Sequence, residues 1–478
     1  MNIISNAKWN SLTQFFKIGI QAVNLIYLAK IIPPSEYGVM AMAVVVINLG
    51  ILLRDLGTSA AIIQRKELSE TLKNTIFWLN SLLGLFLAFI IVAISPLVSS
   101  LFNAPELTNV LILLSITFPF SSIAATHLAL LERESLFKKI STIEISSSLI
   151  SVVFAIIMAN LGFGVYSLVV QAIVLSFMSM VQFWFASNWR PSFKILINKN
   201  DLMNIFGFSA NLSLFNLINY FSRNADSFFI GRFMSAGILG NYNLAYRIML
   251  FPLQSLTFVT NRSLYPVLSR VQDDNKKIFS TYSNCVFIIV FITAPLMSGL
   301  AYFSDPFIRL IFGSQWDLTA SILKWLAPTA ILQAVLSTSG SVFMAKGRTD
   351  VLMRLGIIGA ILQVGSFFIG VNYTITTFSM CYFIANLINF FPVMYCLMKV
   401  IEGSLMSLLI RLLPIFLSTI LMLSCLFFLN QVYPISKFLD VYILVIFSLL
   451  GSSVYILFMV LFSFDFRRFL ISMLRARH

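Results

Sequence analysis

A polytopic, all-α membrane fold is what this sequence predicts, and three observations predict it. Apolar residues make up 59% of the 478 residues and charged residues only 10%. Mean hydropathy is +0.92. Apolar runs of about twenty residues recur along the whole length, enough to cross a hydrocarbon core of about 30 Å as helix. An ordinary soluble domain is excluded by this composition. A β-barrel would show short alternating segments, and none appear. In a soluble chain the net charge of +14 would point to nucleic acid. Here it has another origin, because cytoplasmic loops collect Lys and Arg, so no nucleic-acid partner is expected.

The spans are predicted at 11–32, 38–63, 75–95, 107–130, 142–161, 164–186, 205–232, 239–260, 282–303, 318–340, 351–371, 377–398, 412–430 and 441–463. Fourteen crossings put both termini on one side. Segments on that side carry 23 basic residues, among them Lys73, Lys139, Lys277 and Arg477, whereas the opposite loops contribute only Arg309 and Lys437. The positive-inside rule therefore places both termini in the cytoplasm. Trp9, Trp78, Trp184 and Trp189 then fall at cytoplasmic helix ends, as interfacial anchors. The first apolar run ends in IIPPSEYG with no small-residue cleavage site, and reads as a retained helix.

An internal repeat supports this layout. KIIPPSEYG, residues 30–38, joins the first two spans, and RFMSAGILG, residues 232–240, joins the seventh and eighth. Each has a cation eight residues before a glycine, with an alanine five later (Ala43 and Ala245), at a constant offset of 202 residues. Six spans therefore repeat as six in the same orientation, the parallel kind of transporter duplication. The predicted divisions are 1–198 for spans one to six, 199–400 for spans seven to twelve, and 401–478 for two further spans and a tail. In that tail Phe466, Phe469, Leu470, Met473 and Leu474 oppose Arg467, Arg468, Arg475 and Arg477, the pattern of a membrane-surface helix.

Enzyme chemistry has little to stand on. No Lys follows a Gly, so there is no Walker A loop, and no D-x-D motif appears. His127 and His478 are the only histidines, too few for a histidine-based catalytic set or metal cluster. Cys285, Cys381, Cys396 and Cys425 lie in apolar runs and read as core residues. Neither a cofactor nor a metal is expected.

What stands out is charge inside the spans. A charge near the bilayer centre costs about 2.5–3.5 kcal/mol on insertion scales, unless it faces water or a polar ligand. Cations within or beside the spans are Lys17, Lys30, Arg54, Arg223, Arg232, Arg247 and Lys324; anions are Asp55, Glu144 and Asp226. Lys30 and Arg232 can snorkel to the headgroups, and Glu144, two residues into its predicted span, can reach water. For Lys17 and Lys324, about six residues in, snorkelling and function stand level. Arg54, Arg223 and Asp226 lie deeper and favour function, and the predicted span that holds Arg247 carries no acidic residue. Arg223 and Asp226 are three apart on one helix face, so a mutual ion pair is expected. An entering anion would then free the carboxylate to take a proton. Even after such pairing the surplus is positive, which suits an anionic ligand. Amides such as Gln14, Gln21, Asn24, Asn211, Asn216, Asn219 and Asn224 offer hydrogen bonds to sugar hydroxyls or between helices.

At this point the residues resemble a known family. NADSFFIGRFMSAGILGNYNLAYRIMLFPLQSLTFVTNRSLYPVLSRVQDD, from Asn224 to Asp274, is similar to the central segment of bacterial polysaccharide flippases. So are IIPPSEYGVMAMAVVVINLGILLRDLGTSAAIIQRKELSE, AKGRTDVLMRLG and IRLIFGSQW. These resemble the Wzx-type polysaccharide-transporter branch of the multidrug/oligosaccharidyl-lipid/polysaccharide exporter superfamily. The resemblance implies two six-helix lobes around a central cavity, with two helices appended. It also implies the substrate, an oligosaccharide repeat unit on undecaprenyl pyrophosphate, flipped to the outer leaflet of a bacterial inner membrane. Contact with polysaccharide polymerase machinery would fit such a protein. Arg54, Arg223, Arg247, Lys17, Lys324 and Asn24 are the expected substrate-binding residues, and Asp226 and Asp55 the expected coupling residues. The alternatives are a cation or drug antiporter of the same superfamily, which would want an acidic cavity, and a membrane polysaccharide polymerase or ligase, which would want a sizeable outer loop.

Overall fold

Apolar segments in lipid have no water for their peptide groups and must close hydrogen bonds within themselves. The computed structural model describes residues 3–54, 62–63, 68–192, 220–221, 223–432 and 440–468, and no strand occurs among them. The chain divides into two compact units, Met1–Gly240 and Asn241–His478.

The first unit holds α1 (Ile3–Ile31), α2 (Pro34–Arg54), α3 (Glu70–Phe102), α4 (Glu106–Ser115), α5 (Thr117–Arg133), α6 (Phe137–Asn160) and α7 (Val165–Ala186). A further helical stretch, α8, covers 223–233. Within the unit α6 packs along α1 and α7, and α3 packs along α5. The Ser69 hydroxyl caps α3 by accepting from the Leu72 amide at 3.2 Å. The predicted fourth span is broken between α4 and α5. Pro119 explains the break, since its missing N–H and its ring remove the bond to Ser115, the last residue of α4.

Helix α9 (Ala236–Arg270) runs into the second unit. That unit continues with α10 (Asn275–Tyr302), α11 (Ser304–Ile311), α12 (Asp317–Ala345), α13 (Thr349–Gly370), α14 (Ile375–Val400), α15 (Leu405–Val432) and α16 (Asp440–Phe462). Here α12 packs between α10 and α14, and α15 pairs with α16. At the start of α10 the Asp274 carboxylate accepts from the Lys277 amide at 3.0 Å, which holds its carboxyl below the usual carboxylate range. Arg411 of α15 binds Asp465 at 2.9 Å and Asn284 at 2.6 Å, tying the start of the tail to α10.

Among the described residues, eleven helices are long and apolar enough to cross a membrane. Helices α1 and α9 also stand where spans were predicted, with 29 and 35 residues. Most of the predicted span 205–232 lies outside the described residues. The packing is inside-out relative to a soluble bundle. Phe89 is 72% exposed on α3 and Phe428 68% on α15, while Ser122, Ser147, Thr338 and Ser379 are fully buried. An apolar exterior of this kind is stable only against lipid.

The repeated motif makes a contact with itself. A Cβ on Gly38 would fall 1.7 Å from the carbonyl oxygen of Ala236, and one on Gly240 would fall 1.9 Å from that of Pro34. Pro34 and Ala236, like Gly38 and Gly240, are separated by the repeat offset of 202 residues. Each copy therefore offers its glycine to the same carbonyl of the other, the reciprocity that a two-fold relation produces. Only glycine permits so close a backbone approach. Gly38→Ala and Gly240→Ala are each expected to destabilise the protein by about 1–3 kcal/mol through overpacking. Gly19→Ala, which meets nothing within 4 Å, is expected to be neutral. Thermal unfolding in detergent checks all three.

Candidate functional site

In the first unit, polar side chains join α1 to its neighbours at three levels. Lys17 Nζ lies 2.9 Å from Glu144 Oε2 of α6, with both side chains about one-third exposed. Two turns further along, buried Asn24 donates through Nδ2 to Gln171 Oε1 of α7 at 3.3 Å. Near the end of α1, Asn160 Nδ2 of α6 donates to the Tyr27 hydroxyl at 3.1 Å. The Asn24 Oδ1 acceptor has no partner among the described residues. On α7, Gln182 accepts from Ser146 Oγ at 2.6 Å and donates to Ser147 Oγ at 3.2 Å. Helices α1, α6 and α7 thus share one polar seam between apolar outer faces.

Arg54 ends α2 as a buried cation, 8% exposed, and donates to the Ser121 hydroxyl of α5. Asp55, its predicted neighbour in the coupling role, lies outside the described residues. On α8 the structure corrects an expectation. Asp226 is 5% exposed and its Oδ1 accepts from the Ser227 amide at 2.6 Å, whereas Arg223 is exposed. Among the described residues no ion pair joins them. Spacing on a helix makes such a pair available, but here the carboxylate turns inward and the guanidinium outward.

The second unit holds the other two predicted cations. Arg247 lies on an exposed position of α9. Lys324 of α12 is bound to Asp305 of α11 at 2.9 Å, and both side chains are about half exposed. A separate polar cluster lies deeper, where Gln333 Nε2 of α12 donates to the Tyr382 hydroxyl of α14 at 2.6 Å. It also reaches Asn386 Oδ1 at 3.4 Å. Lys17, Asn24, Arg54, Arg223 and Asp226 therefore belong to the first unit, and Arg247 and Lys324 to the second.

Several polar partners were not foreseen. Glu144 was read as two residues into its span, but α6 begins at Phe137, so the carboxylate sits two turns in, about 10 Å at 1.5 Å per residue. Lys138 and Lys139 had moved the predicted start too far along, although they occupy the exposed face of its first turn. Glu36 carries a second surprise. Its carboxylate packs on Gly164 and accepts from the Val165 amide, at the N-terminus of α7, where helix partial charge favours an anion. Gly164 has φ +53° and no room for a Cβ, so glycine is required there.

Comparisons with known proteins agree with this architecture. The profile of a family described as Polysaccharide biosynthesis protein matches residues 27–321. The chain is 28% identical to the lipopolysaccharide biosynthesis protein WzxC of Escherichia coli K12, over 77% of this chain and 75% of that one. It is 28% identical to the teichuronic acid biosynthesis protein TuaB of Bacillus subtilis 168, over 84% of each. Among solved structures, the lipid II flippase MurJ in an inward closed conformation matches with a TM-score of 0.75 and 19% identity. That likeness, over 96% of this chain and 99% of that one, is one of fold.

The α8 geometry has a measurable consequence. Arg223→Gln, at an exposed position, is expected to change stability by less than about 0.5 kcal/mol, while Asp226→Ala at a buried one costs more than about 1 kcal/mol. The charge-swapped Arg223→Asp/Asp226→Arg protein is expected to be the least stable of the three, because it buries a guanidinium. Melting in detergent checks the order, and a swap as stable as the parent would restore the ion pair.

Proposed function

We propose, from the fact that this chain belongs to the polysaccharide biosynthesis protein family, that it flips an undecaprenyl-pyrophosphate-linked oligosaccharide repeat unit. The direction is from the cytoplasmic to the outer leaflet of a bacterial inner membrane, with both termini in the cytoplasm. The protein is a transporter and not an enzyme. The observation that carries the reading is the placement of Lys17, Asn24 and Arg54 within apolar helices of a chain with the fold of a lipid II flippase.

The chemistry of the substrate matches these groups. Pyrophosphate is a strong anion, and arginine binds phosphate oxygens through two parallel N–H donors. Arg54, Arg223 and Arg247 are assigned to it, with Lys17 and Lys324 as cations whose carboxylate partners must be exchanged. Asn24, whose side-chain carbonyl oxygen is uncommitted among the described residues, is suited to a sugar hydroxyl. The polyprenyl tail needs no protein site, since lipid surrounds the apolar helix faces. No nucleotide-binding motif is present in the sequence, so the driving force is an ion gradient or the gradient of the substrate itself. Asp226, buried and ionisable, and Asp55 are assigned to coupling. The same positive surplus argues against export of cationic drugs. Polysaccharide polymerase machinery, which would consume the flipped unit, is the partner this role would bring alongside.

Deleting the gene in its host is expected to abolish the surface glycan and to accumulate a lipid-linked repeat unit on the cytoplasmic side. Complementation with Arg54→Gln, Arg223→Gln or Arg247→Gln is expected to lower export at least about tenfold at equal membrane levels, as loss of a charge-assisted pair of about 1.5–3 kcal/mol implies. Surface glycan persisting at the parental level in the deletion strain would contradict the assignment.

A further inference from the structure

The seam between α1 and α6 holds a charge pair whose second member has no assigned role. Glu144 Oε2 lies 2.9 Å from Lys17 Nζ, and the side chains are 33% and 31% exposed. Lys17 is the one hydrogen-bonding partner of Glu144 among the described residues. The neighbouring hydroxyls of Ser146 and Ser147 are committed to Gln182 and do not hold the carboxylate.

From this we propose that Glu144 is a built-in, displaceable counter-ion for Lys17, standing where the substrate's pyrophosphate binds. The inference rests on the pyrophosphate reading above and adds to it the residue that releases the ligand. Three physical features carry it. An ammonium has three donors and Glu144 occupies one, so a phosphate can engage the others before the carboxylate leaves. A pair one-third exposed to its surroundings is weaker than a buried one, which makes exchange easy. An unpaired lysine in an apolar helix is costly, which makes a resident partner necessary when no ligand is bound. With the ligand in place, the displaced Glu144 presents a like charge beside it. Their repulsion returns Glu144 to Lys17 and expels the anion, so the site binds a multiply charged phosphate without trapping it. Glu144 is a positioning residue in this scheme, acting through Lys17. It fills the counter-ion role that spacing alone had given to Asp226.

The test uses the full-length protein in nanodiscs, with farnesyl pyrophosphate and farnesyl monophosphate as probes. Glu144→Gln is expected to bind the pyrophosphate probe about two- to fivefold more tightly than the parent, the range set by removing a competing exposed ion pair. Glu144→Asp, one methylene too short to hold the contact, is expected to lie between, and serves if the glutamine protein does not fold. Lys17→Gln is expected to bind more weakly, and Lys17→Gln/Glu144→Gln to match Lys17→Gln, because the carboxylate acts only through the lysine. A purely structural pair would lower the melting temperature without tightening binding. Unchanged or weaker binding by both Glu144 variants, in a parent that prefers pyrophosphate to monophosphate, overturns the counter-ion role alone. A parent showing no preference between the probes overturns the pyrophosphate reading and this inference with it.

Discussion

The cost of an unsatisfied charge or amide in hydrocarbon governs this molecule. Its apolar helices bury little charge, and several of the charges and amides they carry find a partner across a helix interface. Lys17 meets Glu144, and Arg54 meets Ser121. Asn24 meets Gln171, and Gln333 meets Tyr382. Such bonds are worth only about 0.6 kcal/mol on average between membrane helices. Their effect is on register and orientation, since each fixes which face of a helix turns inward. Apolar packing alone would leave that face free to rotate, lipid tails being as apolar as leucine.

The glycine contact at the start of α2 sets a second constraint. Gly38 and Gly240 each press on a backbone carbonyl of the other copy of the same motif, so the repeat is visible as geometry as well as sequence. Backbone contact at this distance is unforgiving of added volume, which suits a place where two helix starts must meet in one arrangement. The polar seam of α1, α6 and α7 is built differently. It is held by side-chain hydrogen bonds and a part-exposed ion pair, and the Asn24 Oδ1 acceptor has no partner among the described residues. One region is close-packed backbone and the other is joined through polar side chains.

Much of the fold was legible in the sequence, because a twenty-residue apolar run in lipid has one solution. The predicted third span lies wholly within α3, the first and sixth lie within α1 and α7 but for one residue each, and the motif at 30–38 announced its copy. Helix starts were less legible. The lysines at 138 and 139 looked like a loop, although they sit on the exposed face of α6, and that reading hid Glu144 as the partner of Lys17. Ion-pair identity was the least legible of all. The spacing of Arg223 and Asp226 offered a pair three residues apart, while Lys17 takes one 127 residues away. Local spacing shows which groups can meet. Which groups do meet is decided by how helices rotate against one another, and that depends on the packing of every other residue.

The role proposed for the intramembrane cations is to hold a phosphate-bearing lipid during its passage between leaflets. The direct measurement is leaflet accessibility in vesicles containing only the purified protein. An undecaprenyl-pyrophosphate-linked oligosaccharide, labelled on the sugar and placed in one leaflet, should become accessible from the other at a rate that rises with protein content. Free pyrophosphate lipid should compete with it. A label that crosses no faster than in protein-free vesicles would contradict the account, as would equal transport of the same oligosaccharide on a neutral lipid.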